Sequence, residues 1–116
     1  MSIRTRVVAV GAATAAALAL TAAPALAQKA TTITVTTPKS SPFAFKGMPK
    51  TLKAGTYTFK YVNKSGIGHN LKVGSAATPV FSTGSKTIKV KLKKGATVAY
   101  ECTPHKTVMK GTIKVT

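Results

Sequence analysis

Acidic residues are almost absent from this chain: Glu101 is the one carboxylate side chain among 116 residues. A single carboxylate cannot supply the paired acid and base on which much enzymatic proton transfer depends. The sequence also shows no candidate pair of nucleophile and base and no glycine-rich phosphate loop. We therefore do not expect an enzyme.

Long hydrophobic runs are also missing. The apolar stretch 7–20 is shorter than the roughly 18 residues of a membrane span, and it follows the basic residues Arg4 and Arg6. Residues 25–27, Ala-Leu-Ala, are typical of a signal-peptide cleavage site. These features predict two parts, a Sec signal peptide, 1–27, and a single domain, 28–116. The domain is expected in the periplasm or the extracellular space, with no membrane span after cleavage.

Cysteine is represented by Cys102 alone. One cysteine excludes an internal disulfide, and it cannot hold an iron–sulfur cluster, which needs several thiolates. An exposed free thiol is a liability in an oxidising compartment, and this favours a ligand role for Cys102.

Arginine does not occur after Arg6, so the predicted domain is basic through lysine alone. The chain has a formal net charge of +17, and removal of Arg4 with Arg6 would leave +15. Base-specific and phosphate-fork recognition favour arginine, so we do not expect a nucleic-acid partner. The lysines fit either an acidic partner or solvated strand faces.

Apolar and polar residues alternate over most of the domain, which is the period of half-buried strands. In TYTFKYV the aromatic residues share one face, and in KTIKVKLKK the residues Lys89, Lys91 and Lys93 share the face opposite the apolar residues. Turn-forming residues separate these segments, and none has helical periodicity. The predicted inward positions are Ile33, Val35, Tyr57, Phe59, Tyr61, Ile88, Val90, Leu92, Val98, Tyr100, Ile113 and Val115.

Short strands at this spacing favour an all-β fold, an antiparallel sandwich or barrel. The segment SSPFAFKGMPKTLKAG is interrupted by proline and glycine. We expect it to be a loop that leads into an edge strand.

The residues that can bind metals are concentrated in GHNLKV and YECTPHKTVM. Cys102 shares strand parity with the apolar residues before it, and His69 shares parity with Leu71, so both side chains should point inwards. The short loop after Cys102 brings His105 back beside it, and Met109 follows as the last strand begins. These four side chains can therefore converge.

Each of these residues alone would most often be structural, but their concentration in two segments favours a metal site. Two imidazoles, a thiolate and a thioether suit copper, whereas zinc more often takes a closed set without thioether. We therefore expect one copper ion per chain. Met48 is a second candidate for the thioether, but KGMPK is distant from Cys102 in sequence, and we expect Met48 in the packing around the site.

Taken together, SGIGHNLKV and YECTPHKTVMKGTIKV resemble the ligand segments of the cupredoxins, the plastocyanin/azurin family of small blue-copper proteins. The resemblance covers nearly all of the domain and implies a Greek-key antiparallel β-sandwich. It implies His69, Cys102 and His105 as trigonal ligands of a type 1 copper ion, with Met109 as the axial ligand. Plastocyanin-like loops commonly continue H-x4-M, whereas three residues separate His105 from Met109 here, a departure that bears on the axial bond.

The resemblance also implies roles for neighbouring residues. Asn70 is expected to tie the two ligand loops together, through its side chain to the Thr103 loop and its backbone N–H to the Cys102 sulfur. Pro104 has no N–H and cannot donate a second hydrogen bond to that sulfur. Glu101 has the opposite parity and is expected at the surface beside a lysine.

The leading hypothesis is one-electron transfer by a monomer that docks briefly on an acidic redox protein. His105 would be the electron port, the place where electrons enter and leave, with an apolar centre and a cationic rim. The expected centre is Pro104 with Phe43, Phe45, Met48 and Pro49, and the expected rim is Lys46, Lys106 and Lys110. Two alternatives stay open: a copper carrier or scavenger without electron relay, and a β domain that binds polyanions.

Overall fold

A computed structural model of the protein describes residues 30–116, and the predicted signal peptide, 1–27, lies outside the described residues. Across the described residues there are eight strands and one short 3-10 helix. Within that same range, no helix is long and apolar enough to cross a membrane. The elements are β1 (Thr31–Thr37), β2 (Thr51–Leu52), β3 (Gly55–Asn63), β4 (Lys72–Val73), β5 (Ala76–Ala77), β6 (Gly84–Leu92), β7 (Thr97–Glu101), the 3-10 helix (Thr103–His105) and β8 (Lys110–Val115).

The strands form a sandwich of two sheets, which confirms the predicted fold class. One sheet has the order β1-β3-β6, and the other has the order β2-β8-β7-β4-β5. Most pairs are antiparallel, but β1 pairs with β3 and β2 with β8 in parallel. The parallel pair β1–β3 arises because the chain crosses to the second sheet for β2 and then returns to the first.

The aromatic side chains of β3 fill the middle of the sandwich, as the alternation predicts. Phe59 and Tyr61 are fully buried and Tyr57 is 9% exposed, while Lys60 between them is exposed. Burying one such side chain stabilises the fold by roughly 1.5–3 kcal/mol. The buried core consists of Val35, Tyr57, Phe59, Tyr61, Leu71, Val73, Leu92, Ile113 and Val115.

The same alternation places polar residues of β1 and β3 inside the sandwich, and the side chains of Thr37 and Asn63 there have hydrogen-bond partners. The hydroxyls of Thr37 and Tyr61 lie 2.6 Å apart, and burial raises the pKa of Tyr61 to about 12. Asn63, at the end of β3, donates to the carbonyls of Ile67 and Phe81 at 2.8 and 2.7 Å. Because a buried amide without partners would be costly, these bonds fix the chain that leads to the first histidine.

The segment predicted as a loop, 40–55, contains the two-residue strand β2 and leads into β3. β3 lies between β1 and β6 in its sheet, so the prediction of an edge strand was wrong. Residues 38–50, before β2, do form a loop. The backbones of Thr36 and Lys46 exchange hydrogen bonds of 2.9 and 2.7 Å. The next residue, Gly47, has a φ of 89°, and a Cβ there would lie 2.7 Å from the Thr34 carbonyl oxygen. Glycine is therefore required, and the loop is fixed against β1.

Candidate metal centre

His69 lies just before β4 and is held by a two-way backbone bridge to Phe81. Its N–H donates to the Phe81 carbonyl at 3.1 Å, and its carbonyl accepts the Phe81 N–H at 2.9 Å. The side chain is fully buried. Burial lowers the pKa of His69, the Pro42 carbonyl partly opposes this shift, and the charge of His105 adds to the lowering. A neutral imidazole has a lone pair free for a metal ion.

Cys102, His105 and Met109 lie on one closed loop between β7 and β8. The N–H of Cys102 donates to the Met109 carbonyl at 2.9 Å, and the Cys102 carbonyl accepts the N–H of His105 at 3.0 Å. The His105 carbonyl in turn accepts the N–H of Met109 at 2.9 Å. Pro104 fits the first turn of the 3-10 helix, where no N–H is needed. The backbone alone therefore determines the spacing of the three residues.

Asn70 joins the His69 segment to this loop, as expected. Its side-chain oxygen accepts the N–H of Thr103 at 2.7 Å. Its amide nitrogen donates to the Thr103 hydroxyl at 3.2 Å and to the Thr78 carbonyl at 3.4 Å. Asn70 is 5% exposed, and in such a buried position these bonds hold the two segments in a fixed relation.

The ligand atoms of the two segments meet at one point. The Nδ1 atoms of His69 and His105 lie 3.1 Å apart, and the Sγ of Cys102 lies 3.5 and 3.6 Å from them. A triangle with these sides has a point about 2.0 Å from all three atoms, close to the usual metal–nitrogen distance of about 2.0–2.1 Å and somewhat inside the metal–sulfur distance of about 2.3 Å. The three residues therefore fit a single metal ion without a change of fold.

Comparison with known families decides the kind of centre. The profile described as "Copper binding proteins, plastocyanin/azurin family" matches residues 31–116. The chain belongs to this family. Its cofactor is copper, and His69, Cys102, His105 and Met109 are arranged as a type 1 copper site. Cupredoxins are electron carriers that work with redox partners.

Solved structures have the same fold at low sequence identity. Auracyanin from Roseiflexus castenholzii is 20% identical with a TM-score of 0.60, over 77% of this chain and 99% of that one. Auracyanin A from Chloroflexus aurantiacus is 18% identical with a TM-score of 0.61, over 76% and 100%. Plastocyanin from Dryopteris crassirhizoma is 24% identical with a TM-score of 0.56, over 72% and 99%. No curated protein sequence matches this cupredoxin.

The two methionines near the site have different surroundings. Met109 is 1% exposed and is tied through its backbone to both Cys102 and His105. Met48 packs partly buried against the hydrophobic core of the sandwich. Met109 therefore lies buried on the same loop as Cys102 and His105, and its role as the axial ligand stays a prediction.

The two imidazoles of this cupredoxin also differ. The Nε2 atom of His69 is buried and has no hydrogen-bond partner among the described residues. His105 is half-buried. The Phe43 ring packs edge-on against both rings, with centroids 5.7 Å from His69 and 5.1 Å from His105. Phe43 therefore covers the two imidazoles from the solvent side.

Exposed apolar side chains surround this end of the sandwich. Phe43 is 46% exposed, and Val108 in the ligand loop is 66% exposed. Val80 is 55% exposed and lies against Gly68, the residue before His69. We call Phe43, Val80 and Val108 the apolar patch.

Two of the residues expected around the port, Phe45 and Met48, are partly buried and pack against the core. Phe45 packs edge-on against Tyr61 and Tyr100, with centroids 5.4 and 5.9 Å apart. Met48 likewise packs against the core. Their side chains face inwards because the loop 38–50 folds back on β1 at Lys46, which leaves Phe43 as its apolar contact with the histidines.

The charged residues expected near the port are at the surface. Lys46, Lys106 and Lys110 are exposed. Glu101 has Lys72 and Lys110 as its partners on the two neighbouring strands, so the expected lysine neighbours are present. The lone acid thus lies on the outer face of β7, next to the ligand Cys102 in sequence but on the opposite face.

Sequence reasoning missed several residues that build the centre. Phe81 pairs with His69, Asn63 anchors the approach to it, and Thr78 accepts the Leu71 N–H through its hydroxyl at 3.0 Å. The sequence pattern could have indicated the role of Asn63, because this residue shares inward parity with the β3 aromatic residues and an inward amide needs hydrogen-bond partners. Phe81 and Thr78 lie in an irregular segment that has no periodicity to indicate their role.

Proposed function

We propose that this cupredoxin is an exported one-electron carrier that binds one copper ion through His69, Cys102 and His105, with Met109 as the axial ligand. The observation that carries the proposal is the set of distances of 3.1, 3.5 and 3.6 Å among two Nδ1 atoms and one Sγ. This set of donor atoms, arranged as a nearly equilateral triangle, favours copper over zinc.

A bound copper ion supplies a one-electron couple between Cu(II) and Cu(I). The chain's part is to hold the ligand atoms at nearly the same distances in both states. Asn70 holds the ligand loop through Thr103, and the backbone bond between Cys102 and Met109 closes the loop at its base. Small ligand movement keeps the barrier to electron transfer low, which suits a carrier.

Burial protects the thiolate that makes the centre possible. Cys102 is fully buried, so oxidants reach its sulfur poorly, although an exposed thiol in an oxidising compartment would be vulnerable. His105 is the one nitrogen ligand that is only half-buried. Electrons therefore have their shortest route to the surface through the His105 ring.

The apolar patch beside His105 supports docking at this end. A small apolar surface allows close approach and rapid release, as in weak redox encounters. Lys46, Lys106 and Lys110 are exposed, and the formal net charge of the chain is +17. Such charge attracts an acidic redox protein from a distance and makes its association sensitive to salt.

Export and the monomeric state are parts of the same proposal. The basic start, the apolar stretch 7–20 and Ala-Leu-Ala at 25–27 support cleavage after Ala27 and a location in the periplasm or outside the cell. A monomer leaves the His105 end free for transient partners.

The test is repeated oxidation and reduction of the bound copper. The copper-loaded protein should be oxidised by hexacyanoferrate(III) and reduced by ascorbate over many rounds, with visible absorption that disappears and returns each time. The copper should stay bound in the presence of a chelator. Loss of copper to the chelator on reduction would contradict the proposal and favour a copper carrier, and failure to bind copper would favour the polyanion-binding domain.

A further inference from the structure

β6 is a long edge strand. Among the described strands, β3 is its one hydrogen-bonded neighbour. The two strands are nine residues long and pair over their whole length. In such a strand every second residue directs its N–H and C=O away from the neighbour. A row of free backbone groups is a template on which another strand can pair.

A groove lies beside the second half of β6. Its volume is about 350 Å³, and it separates β6 from the turn that joins β4 to β5. Its apolar lining comes from both sheets, whereas exposed lysines of β6 stand at its rim. The accessible apolar lining is half-buried Val90 and Val98, with buried Val73 and Leu92 beneath them, and the rim lysines are Lys89 and Lys91.

This groove is separate from the metal centre. β6 begins at the copper end, because Gly84 pairs with Asn63, which anchors the segment leading to His69. Val90 lies six residues further along β6, a distance of about 20 Å in a strand. An occupant of the groove therefore leaves the apolar patch and His105 free.

We propose that this edge binds an extended acidic segment of another protein as an added strand. The segment would pair with the free backbone groups of β6 over Lys89–Leu92. Its side chains would alternate between two environments, because successive residues of a strand point to opposite faces. One set would enter the groove beside Val90, and the other would lie beside Lys89 and Lys91. The pattern recognised is an alternation of apolar and acidic residues.

The charges of the chain select this occupant over a second copy. Pairing two copies along β6 would bring like charges into cross-strand proximity, which is destabilising. The described residues contain Glu101 as the sole acid, and it lies on β7, outside the groove. An acidic strand instead converts each rim lysine into a favourable cross-strand pair.

The backbone selects a peptide over an anionic acyl chain. The outward N–H and C=O groups of β6 are polar and border the groove. An acyl chain would cover them without offering a hydrogen bond, which is unfavourable. An extended peptide offers both a donor and an acceptor at each pairing residue.

The test is a titration of the purified, reduced protein with an acetylated peptide of alternating valine and glutamate, followed by amide chemical shifts. Shifts are expected in β6 and in the turn between β4 and β5, and not at Thr103 to Met109. A peptide of the same composition with its valines and glutamates in two separate blocks should bind at least about tenfold more weakly. Because the test does not use the copper chemistry, its failure would leave the electron-carrier proposal intact.

Two charge-matched variants locate the binding. Lys89→Glu with Lys91→Glu should weaken the alternating peptide by at least about tenfold. Lys106→Glu with Lys110→Glu makes the same change of net charge at the copper end, and it should have a much smaller effect. Unchanged spectra of the free variants will establish that both are folded.

Four outcomes would overturn the proposal. Equal binding of the two peptides, or equal losses in the two variants, would mean a diffuse attraction to the lysines. Shifts of β6 that grow with protein concentration, without peptide, would mean a second copy of this chain. Shifts at the groove caused by decanoate and not by the alternating peptide would mean an acyl ligand.

Discussion

The segment that carries His69 and the loop that carries His105 contribute the same ring nitrogen to the metal centre from very different surroundings. His69 is fully buried and bridged to Phe81, whereas His105 is half-buried in a short loop between strands. The sandwich interior fixes one imidazole, and the surface loop presents the other beside the apolar patch. In the proposed function, holding the metal and reaching the partner therefore fall to different histidines.

The largest effect should come from removing each imidazole in turn. His69→Gly and His105→Gly should both abolish the intense visible band of the copper protein. Added imidazole should restore it in His105→Gly, because the vacated space opens to solvent, and not in His69→Gly, because that space is closed. Visible absorption measures the band, and circular dichroism checks folding. Equal rescue of both folded variants would contradict the division between the histidines.

The next effect concerns the link between the two regions. Asn70→Ala removes the acceptor of the Thr103 N–H, and it should lower the free energy of unfolding by about 2 kcal/mol. It should also speed copper loss to a chelator, because the ligand loop is released from the His69 segment.

The control for this link is Val115→Ala, which removes a buried apolar side chain at the end of β8 that is distant from the ligand loop. It should destabilise the fold by a similar amount and speed copper loss much less. Denaturant unfolding and chelator kinetics measure the two quantities. Equal rates of copper loss in the two variants would show that Asn70 acts through general stability alone.

A smaller effect, on the reduction potential, is expected from replacing Met109, the proposed axial ligand. Met109→Leu should retain copper and raise the reduction potential by several tens of millivolts, because a weaker axial donor favours Cu(I). Met48→Leu should shift the potential much less, since Met48 packs against the core. Voltammetry of both proteins measures the shift. A larger shift for Met48→Leu would reverse the assignment of the axial ligand.

The smallest effect concerns the lysines of the two ends. Lys106→Gln with Lys110→Gln should slow oxidation by hexacyanoferrate(III) a few-fold at low salt, because these lysines attract the anion towards His105. Lys89→Gln with Lys91→Gln, on distant β6, should react almost as the unmodified protein does. Stopped-flow rates decide this, and the difference should fade near physiological salt, where the Debye length is about 8 Å. Equal slowing by both pairs would indicate a diffuse field.

Much of the sandwich and of the metal centre was predictable because strand alternation fixes the direction of side chains. The strands β1, β3, β6, β7 and β8 follow the predicted segments, and the inward parity of Cys102 and His69 agrees with their full burial. Asn70 was also found in its expected position at Thr103. For the strands and for Cys102 and His69 a local rule determines the outcome, whereas the position of Asn70 was implied by the family resemblance.

Long-range packing explains what the sequence did not predict. The strands β2 and β5 have two residues each, too few to show a period. The inward direction of Phe45 depends on how the loop 38–50 folds onto β1. The place of Val80 beside Gly68 depends on the Phe81–His69 bridge, which pairs segments that carry no alternation.

A titration with Cu(II) followed by visible absorption shows whether Cys102 and the two histidines form one copper site. We expect an intense sulfur-to-copper charge-transfer band that grows linearly and stops at one copper per chain. The band should be absent from Cys102→Ser, because the thiolate is its origin. A band that persists in Cys102→Ser, or copper binding to the unmodified protein without such a band, would mean that these three residues do not form a type 1 copper site.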